Sequence, residues 1–136
     1  MAYVNEKISD EDKIRINFEE LKDESSWRPR PSGWTVDRAT GNFLINTFWG
    51  DADDRNAKRY FFCWNGKVLR VDADTFEKKE SGVLVYVWTM TGIQKLPSEI
   101  EAQRDELYSD LCRAIKCDVL ERFDFYKHIE FNLIGK

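Results

Sequence analysis

The chain has 136 residues, of which 42% are hydrophobic and 14% aromatic, and its formal net charge is -4 at pH 7. This length and composition indicate one domain with a buried core and exclude an intrinsically disordered chain. The longest apolar runs, such as residues 83–88, are too short to span a bilayer, and the first residues contain no apolar segment of signal-peptide type. We therefore expect a single cytoplasmic domain over residues 1–136.

The first element predicted along the chain is a helix over about residues 10–22. Ser9 is a suitable N-cap, and Ser9 together with Asp12 approximates a capping box. Apolar residues then recur at spacings of four and three, which is typical of one buried helix face. The following residues 23–33 contain Pro29 and Pro31, so we expect an extended linker there.

The middle of the chain predicts β structure. We expect a short strand near residues 34–37, a turn at residues 39–42 that contains Gly41, and a longer strand at residues 43–49.

A second β segment contains the strongest local signal of the chain. The pair Asn65-Gly66 is the preferred centre of a two-residue type I′ turn, so residues 60–64 and 67–73 are predicted to pair antiparallel. The charged residues 73–82 are interpreted as the next loop. The apolar residues 83–90 then predict a strand that is buried on both faces and lies inside the sheet.

The C-terminal third is predicted to begin with a helix that Ser98 caps, just after Pro97. Its expected buried stripe consists of Ile100, Leu107, Leu111, Ala114 and Ile115. Its charged residues Glu101, Arg104, Asp105 and Asp110 are expected to face water. Residues 128–133 alternate between apolar and polar and predict a half-buried last strand.

These elements together predict an α+β fold. We expect a largely antiparallel sheet of about five strands, packed with an N-terminal and a C-terminal helix on one face.

The sequence offers few groups for metal or catalytic chemistry. The three cysteines, Cys63, Cys112 and Cys117, have neither the pairing of a disulfide framework nor the close spacing of a zinc site, so we interpret them as reduced. His128 is the only histidine, which excludes a site with several histidines. A pair of a cysteine and His128 is possible by count, but no known nucleophile context surrounds any of the cysteines.

The loop that contains Asp51, Asp53 and Asp54 resembles the start of a calcium-binding loop. A calcium hand counted from Asp51 needs an oxygen ligand at position five, glycine at six and glutamate at twelve, and those positions hold Arg55, Asn56 and Phe62 instead. We interpret the segment as an exposed hairpin tip, a place where binding often occurs. Glycine-rich nucleotide motifs and the G-x-S-x-G motif of hydrolases are absent, so we expect a protein that is not an enzyme, with no cofactor and no metal.

The distribution of charge along the sequence favours a protein partner over nucleic acid. The two ends of the chain are acidic, whereas residues 27–96 carry eleven basic and eight acidic groups. Because phosphate contacts dominate nucleic-acid binding, an acidic chain is a poor match to nucleic acid and a better match to a basic protein. A net charge of -4 is also a common value that merely aids solubility.

In size, acidity, α–β–α plan and lack of catalytic motifs, the chain resembles the small bacterial immunity proteins that neutralise toxins from neighbouring cells. The resemblance implies an inhibitor that occludes the active site of a toxin domain, commonly a basic nuclease. Our candidate partner-binding residues are Asp51, Asp53, Asp54, Glu101, Asp105, Glu106 and Asp110. The basic middle of the chain departs from a purely acidic binding face.

Two alternatives stay open. The chain is also compatible with a small-molecule-binding module or enzyme, with a pocket between the sheet and the helices. The candidate lining residues are Trp34, Trp49, Tyr60 and Trp64, which core packing explains equally well. The second alternative is a homodimer that pairs through a strand edge, so we expect a monomer or a weak homodimer.

Overall fold

The computed structural model describes residues 3–15, 27–29, 33–49, 57–93, 96–123 and 125–133. The strands are β1 (Tyr3–Lys7), β2 (Trp27–Pro29), β3 (Gly33–Asp37), β4 (Phe43–Trp49), β5 (Ala57–Trp64), β6 (Lys67–Glu80), β7 (Val83–Ile93) and β8 (His128–Asn132). The helices are α1 (Asp10–Arg15), α2 (Ser98–Glu101) and α3 (Arg104–Leu120).

The strands form one curled sheet in the order β1-β3-β4-β5-β6-β7-β8, with β2 paired to β4. Every pair along this order is antiparallel except β7 and β8, which run parallel. The sheet is therefore mixed, because the chain reaches β8 through α2 and α3 instead of a tight turn.

The expected fold of about five strands with two flanking helices is wrong. The described residues are mostly sheet, in seven strands of one mixed, curled sheet with β2 beside it, and they contain three helices. The strand β1 was missed because its five residues show no clear alternation and lie at the edge of the sheet. Pairing with β3 from Tyr3 opposite Asp37 to Lys7 opposite Gly33 stabilises it despite this weak local preference.

The interpretation of residues 73–82 as a loop is also wrong. Most of it continues β6 as far as Glu80, with each residue from Ala73 onward paired to β7. Only Ser81 and Gly82 form the connection, and both have positive φ (52° and 82°). The segment resembles a loop in sequence because most of its charged side chains are solvent-exposed, although its backbone pairs with β7 along its length up to Glu80.

The predicted hairpin at Asn65-Gly66 is confirmed. These residues have φ of 51° and 81°, and residues 57–64 pair in register with residues 67–74. The Asn65 backbone N–H donates to the Asn42 side chain at 2.9 Å, which ties this turn to the turn before β4. The strands predicted at residues 34–37 and 43–49 are confirmed, as is the interior position of residues 83–90.

The capped start of the first helix is confirmed as well. The Asp12 backbone N–H donates to the Ser9 hydroxyl at 3.1 Å, and this hydroxyl donates to the Asp12 carboxylate at 3.0 Å. The predicted continuation from Arg15 to residue 22 lies outside the described residues.

The C-terminal helix differs from the prediction in its first turn. Pro97, not Ser98, occupies the N-cap position of α2, and its carbonyl accepts the backbone N–H of Ile100 and Glu101. The helix is interrupted at residues 102–103 and resumes as α3. The predicted strand at the C-terminal end is confirmed as β8, parallel to β7.

The core has two parts, one on each face of the sheet. On the inner face, which we define as the face covered by α3, the fully buried residues Leu107, Leu111 and Ile115 pack against Leu44, Tyr60, Phe62 and Trp88. The outer face carries a smaller cluster of Ile8, Trp34, Val36, Phe43, Ile45 and Phe61. Successive residues of β5 belong to alternate clusters, which explains its continuous apolar run.

Candidate ligand-binding cavity

A cavity of about 960 Å³ lies on the inner face of the sheet, beside the C-terminal end of α3. It exists because α3 covers only part of the curled sheet and contacts β1, β3, β4 and β8. Beyond Leu120 the chain leaves the helix and crosses the opening before it enters β8.

The floor of the cavity is built from inward-facing residues of four neighbouring strands. These are Asn46 on β4, Lys58 and Tyr60 on β5, Thr75 and Glu77 on β6, and Tyr86 on β7. Asn46 pairs with Tyr60 and Glu77 pairs with Tyr86 across the strands, which sets these side chains side by side.

The opposite wall comes from the end of α3 and the residues that follow it. Asp118 and Val119 belong to the last turn of the helix, and Arg122 follows it. The Arg122 Nε–H donates to Asp118 Oδ1 at 2.6 Å, one helical turn away. The Tyr126 hydroxyl donates to Glu77 Oε1 at 2.6 Å and so ties the segment after α3 to strand β6.

Aromatic rings surround the opening. The ring of Tyr126 lies 4.9 Å from that of Tyr86 and 4.6 Å from that of Phe125, measured between centroids. Phe76, Phe123 and Phe125 also line the cavity and are 51%, 44% and 53% exposed. Phe123 and Phe125 are in ring contact at 5.6 Å between centroids, and these two half-exposed phenylalanines present apolar surface to an incoming molecule.

The phenols inside the cavity are held in the neutral form. Burial raises the pKa of Tyr60 well above its ordinary value, and the negative charge of Asp118 adds to the effect. Burial also raises the pKa of Tyr86, with a contribution from Asp118. The pKa of Tyr126 is raised by burial and by the hydrogen bond that it donates to Glu77. The cavity therefore offers neutral hydroxyl groups next to two carboxylates.

A second, smaller cavity of about 660 Å³ lies near the start of the chain, between β1 and α3. Its charged lining includes Asp110 and Arg113, which bind each other at 2.8 Å. It contains one aromatic residue, Tyr3, whose hydroxyl is already bonded to Asp110.

The described residues include four of the seven predicted to bind a partner. Glu101, Asp105 and Glu106 are exposed at the junction of α2 and α3, as predicted from the helical pattern. The Asp51, Asp53 and Asp54 loop, including its possible calcium ligands, lies outside the described residues.

The expectation that Asp110 faces water is wrong. Asp110 is 8% exposed, accepts a hydrogen bond from the Tyr3 hydroxyl at 2.5 Å and binds Arg113 at 2.8 Å. The Asp110 carboxylate is bonded within the protein because β1 covers this side of α3. The sequence pattern did not reveal β1.

Of the four aromatic residues predicted to line a pocket, Tyr60 and Trp34 border the cavity. The Trp34 ring packs against Phe43 in the outer cluster, so Tyr60 is the one that presents its side chain from the inner face. Trp64 is buried in the core away from the cavity, and the side chain of Trp49 lies outside the described part.

Sequence reasoning missed the main residues of the cavity, Glu77, Tyr86, Asp118, Arg122 and Tyr126. One signal was available: three aromatic residues within four positions directly after an amphipathic helix, at Phe123, Phe125 and Tyr126. Such a run on a connecting segment is too apolar for an ordinary exposed loop.

No cluster of three or more potential metal ligands occurs among the described residues. The thiol of Cys117 is buried, with the Tyr3 carbonyl at 3.3 Å and the Glu121 carboxylate at 3.2 Å as alternative acceptors for its one hydrogen, and burial raises its pKa to about 12. His128 is exposed at the start of β8. Within the described part of the chain, no helix is long and apolar enough to cross a membrane.

Comparison with protein-family models, curated proteins and solved structures finds no match to this chain.

Proposed function

We propose that this protein is a binding protein that takes a small molecule into the cavity beside the end of α3. The observation that carries the proposal is the cavity itself. Its volume of about 960 Å³ is in the range of ligand sites, and it combines aromatic rings with a few convergent polar groups. We assign it no catalytic step.

The arrangement of the lining supports this function. The half-exposed rings at the rim give apolar contact area, and the hydroxyl and carboxylate groups on the floor fix orientation through hydrogen bonds. The bond between Tyr126 and Glu77 holds the rim segment against the sheet, so the cavity is formed before a ligand enters.

A fragment screen by ligand-observed NMR tests the proposal. Phe123→Ala combined with Phe125→Ala should weaken the fragments that bind the wild type, because truncation of an aromatic anchor typically costs at least about 1 kcal/mol. Both side chains are about half exposed, so the variant should fold.

Val83→Ala is the matched control, because Val83 is also an exposed apolar residue but does not line the cavity. The proposal fails if the screen yields no binder, or if the double variant binds every fragment as tightly as the control does.

We also propose, as a second candidate, an immunity protein that binds a basic toxin domain in the cytoplasm. The observation that favours it is the group of exposed carboxylates at the junction of α2 and α3, namely Glu99, Glu101, Asp105 and Glu106. Arg104 lies among them and binds Glu101 at 3.4 Å, so the surface is acidic but not uniformly so. Complementary charge on such a surface mainly speeds encounter with a basic partner.

Charge reversal at Asp105 and Glu106 together tests this candidate. It should slow association with a basic nuclease domain encoded beside this protein, measured by surface plasmon resonance at low salt. Asp74→Lys on β6 is the control, since Asp74 is an exposed carboxylate on another element. Equal association rates for the reversed variant and the control would reject this surface.

A further inference from the structure

The lining of the cavity carries two negative and two positive side chains. Glu77 and Asp118 are negative, and Lys58 and Arg122 are positive. Arg122 is bound to Asp118 at 2.6 Å, so each of these two charges largely offsets the other. Asp118 is also the more buried partner of this pair, with its side chain 9% exposed against 39% for Arg122.

The end of α3 adds further negative potential. A helix of 17 residues has a partial negative charge at its C-terminus. In the last turn of α3, the carbonyls of Cys117 and Val119 accept the backbone N–H groups of Glu121 and Phe123, and the basic residue that follows the helix, Arg122, is bound to Asp118. The cavity lies directly beside this terminus, because Asp118 and Val119 form part of its wall.

The same two carboxylates lie close to the three phenols of the cavity. Burial first of all raises the pKa values of Tyr60, Tyr86 and Tyr126, and negative charge from Asp118 adds to the effect at Tyr60 and Tyr86, as does negative charge from Glu77 at Tyr86 and Tyr126. Tyr60 lies on β5, Tyr86 on β7 and Tyr126 on the segment after α3.

Aromatic rings complete the environment. A cation that lies over the face of an aromatic ring is attracted by the ring quadrupole, and the attraction grows when water is excluded. The ring of Tyr126 contacts those of Tyr86 and Phe125, and its hydroxyl is bonded to the Glu77 carboxylate. Rings and carboxylates together favour a cation with an apolar body.

We infer that the ligand of this cavity is an organic cation, an amine attached to an aromatic or aliphatic body. The ammonium group lies between Glu77, Asp118 and the tyrosine rings, and the apolar body lies against Phe123 and Phe125. This inference rests on the proposed small-molecule function and specifies the charge of its ligand.

Three probes of nearly equal size and different charge test the inference: phenethylamine, 2-phenylethanol and phenylpropionate. Calorimetry or NMR titration at neutral pH should show that the amine binds about tenfold more tightly than the neutral alcohol. The anion should bind most weakly.

Glu77→Gln should reduce the preference for the amine over the alcohol by several-fold. The amide oxygen still accepts the Tyr126 hydroxyl, and Glu77 is exposed, so the variant keeps the fold. Glu130→Gln is the matched control, because Glu130 is a partly exposed strand carboxylate that binds Lys78 and does not line the cavity.

The outcomes separate this inference from the function on which it rests. If the alcohol or the anion binds as tightly as the amine, or if Glu77→Gln keeps the full preference, the inference is overturned and the ligand-binding function stands. If none of the probes and no fragment of the screen binds, both are overturned.

Discussion

Gly66 is held at a φ of 81° at the tip of the hairpin between β5 and β6, with open space where a Cβ would lie. Gly66→Val should therefore destabilise the protein through backbone strain alone. The left-handed conformation costs a residue with a side chain about 1–2 kcal/mol, and a β-branched residue is among the least tolerant. Urea denaturation followed by circular dichroism measures the loss.

Gly66→Asn is the control, because asparagine visits this conformation at lower cost. It should lose clearly less stability than Gly66→Val. If the two variants are equally stable, strain at this turn does not limit the stability of the fold.

The Tyr3 hydroxyl belongs to a buried hydrogen-bond network that joins β1 to α3. It donates to Asp110, which also binds Arg113 and lies 3.5 Å from the Asn42 side-chain nitrogen. Tyr3→Phe removes one donor from a buried carboxylate, so we expect a loss of about 1–3 kcal/mol in the free energy of unfolding. Tyr108→Phe, on the helix that carries Asp110, is a control for the loss of a phenol outside this network.

Thermal unfolding followed by circular dichroism compares the two variants. A Tyr3→Phe variant as stable as the wild type would mean that Asp110 is satisfied by Arg113 and Asn42 without the phenol.

At the scale of elements, α3 holds the inner core together. Leu111 is fully buried in the middle of this helix, against the inner face of the sheet. Leu111→Ala should cost about 2–5 kcal/mol, because it removes buried apolar contacts and leaves a cavity. Glu106→Ala on the exposed side of the same helix should change stability by less than about 0.5 kcal/mol.

Equilibrium denaturation of both variants checks this prediction. Similar losses at the two positions would show that the helix contributes through its backbone and not through the packing of this face.

Elements with a strong local sequence signal were predictable. Strands that form only because they pair with another strand were not. The Asn65-Gly66 turn determines its own conformation, so the hairpin around it is readable from two residues. The end of β6 carries charged side chains on an exposed part of the sheet, and only its ladder with β7 makes it a strand. The edge strand β1 depends in the same way on β3, which is about 30 residues away in the chain.

At the scale of the whole molecule, buried tyrosines couple stability to alkaline pH. The pKa values of Tyr3, Tyr60, Tyr86 and Tyr126 are raised in the folded state, first of all by burial. The folded protein therefore binds these protons more tightly than the unfolded chain, whose tyrosines titrate near about pH 10. This stabilisation is complete below that pH and is lost as the pH rises above it.

The buried thiol of Cys117 also makes the protein less stable as the pH rises, and its effect begins at slightly lower pH. Burial raises its pKa to about 12 from an unfolded value of 9.0. We expect the midpoint of urea unfolding to fall steadily above about pH 9. Near-ultraviolet absorbance should show part of the phenolate signal appearing together with unfolding and not before it. If all five tyrosines ionise while the protein remains folded, the burial of these phenols is contradicted.

The cavity was the part of the molecule least accessible from sequence. Its floor comes from four strands and its wall from the end of α3, so it exists only after the sheet has curled and the helix has crossed it. Asp118 and Glu77 are 41 residues apart and look like ordinary surface charges in their own segments. The sequence allowed for a pocket lined by aromatic residues. Of the four candidates, only Tyr60 presents its side chain to the cavity from the inner face.

The contact between β1 and α3 has a consequence for how the protein is made. The Tyr3 hydroxyl and Asp110 are 107 residues apart, so the first strand is synthesised long before the helix against which it packs. At a ribosomal rate of about 5–20 residues per second, that delay lasts about 5–20 seconds. Over this interval the inner face of the growing sheet lacks its helical cover, and contacts of such long range also slow the final folding step. Translation of this chain therefore includes a period in which chaperones have access to the surface that later becomes the core and the cavity.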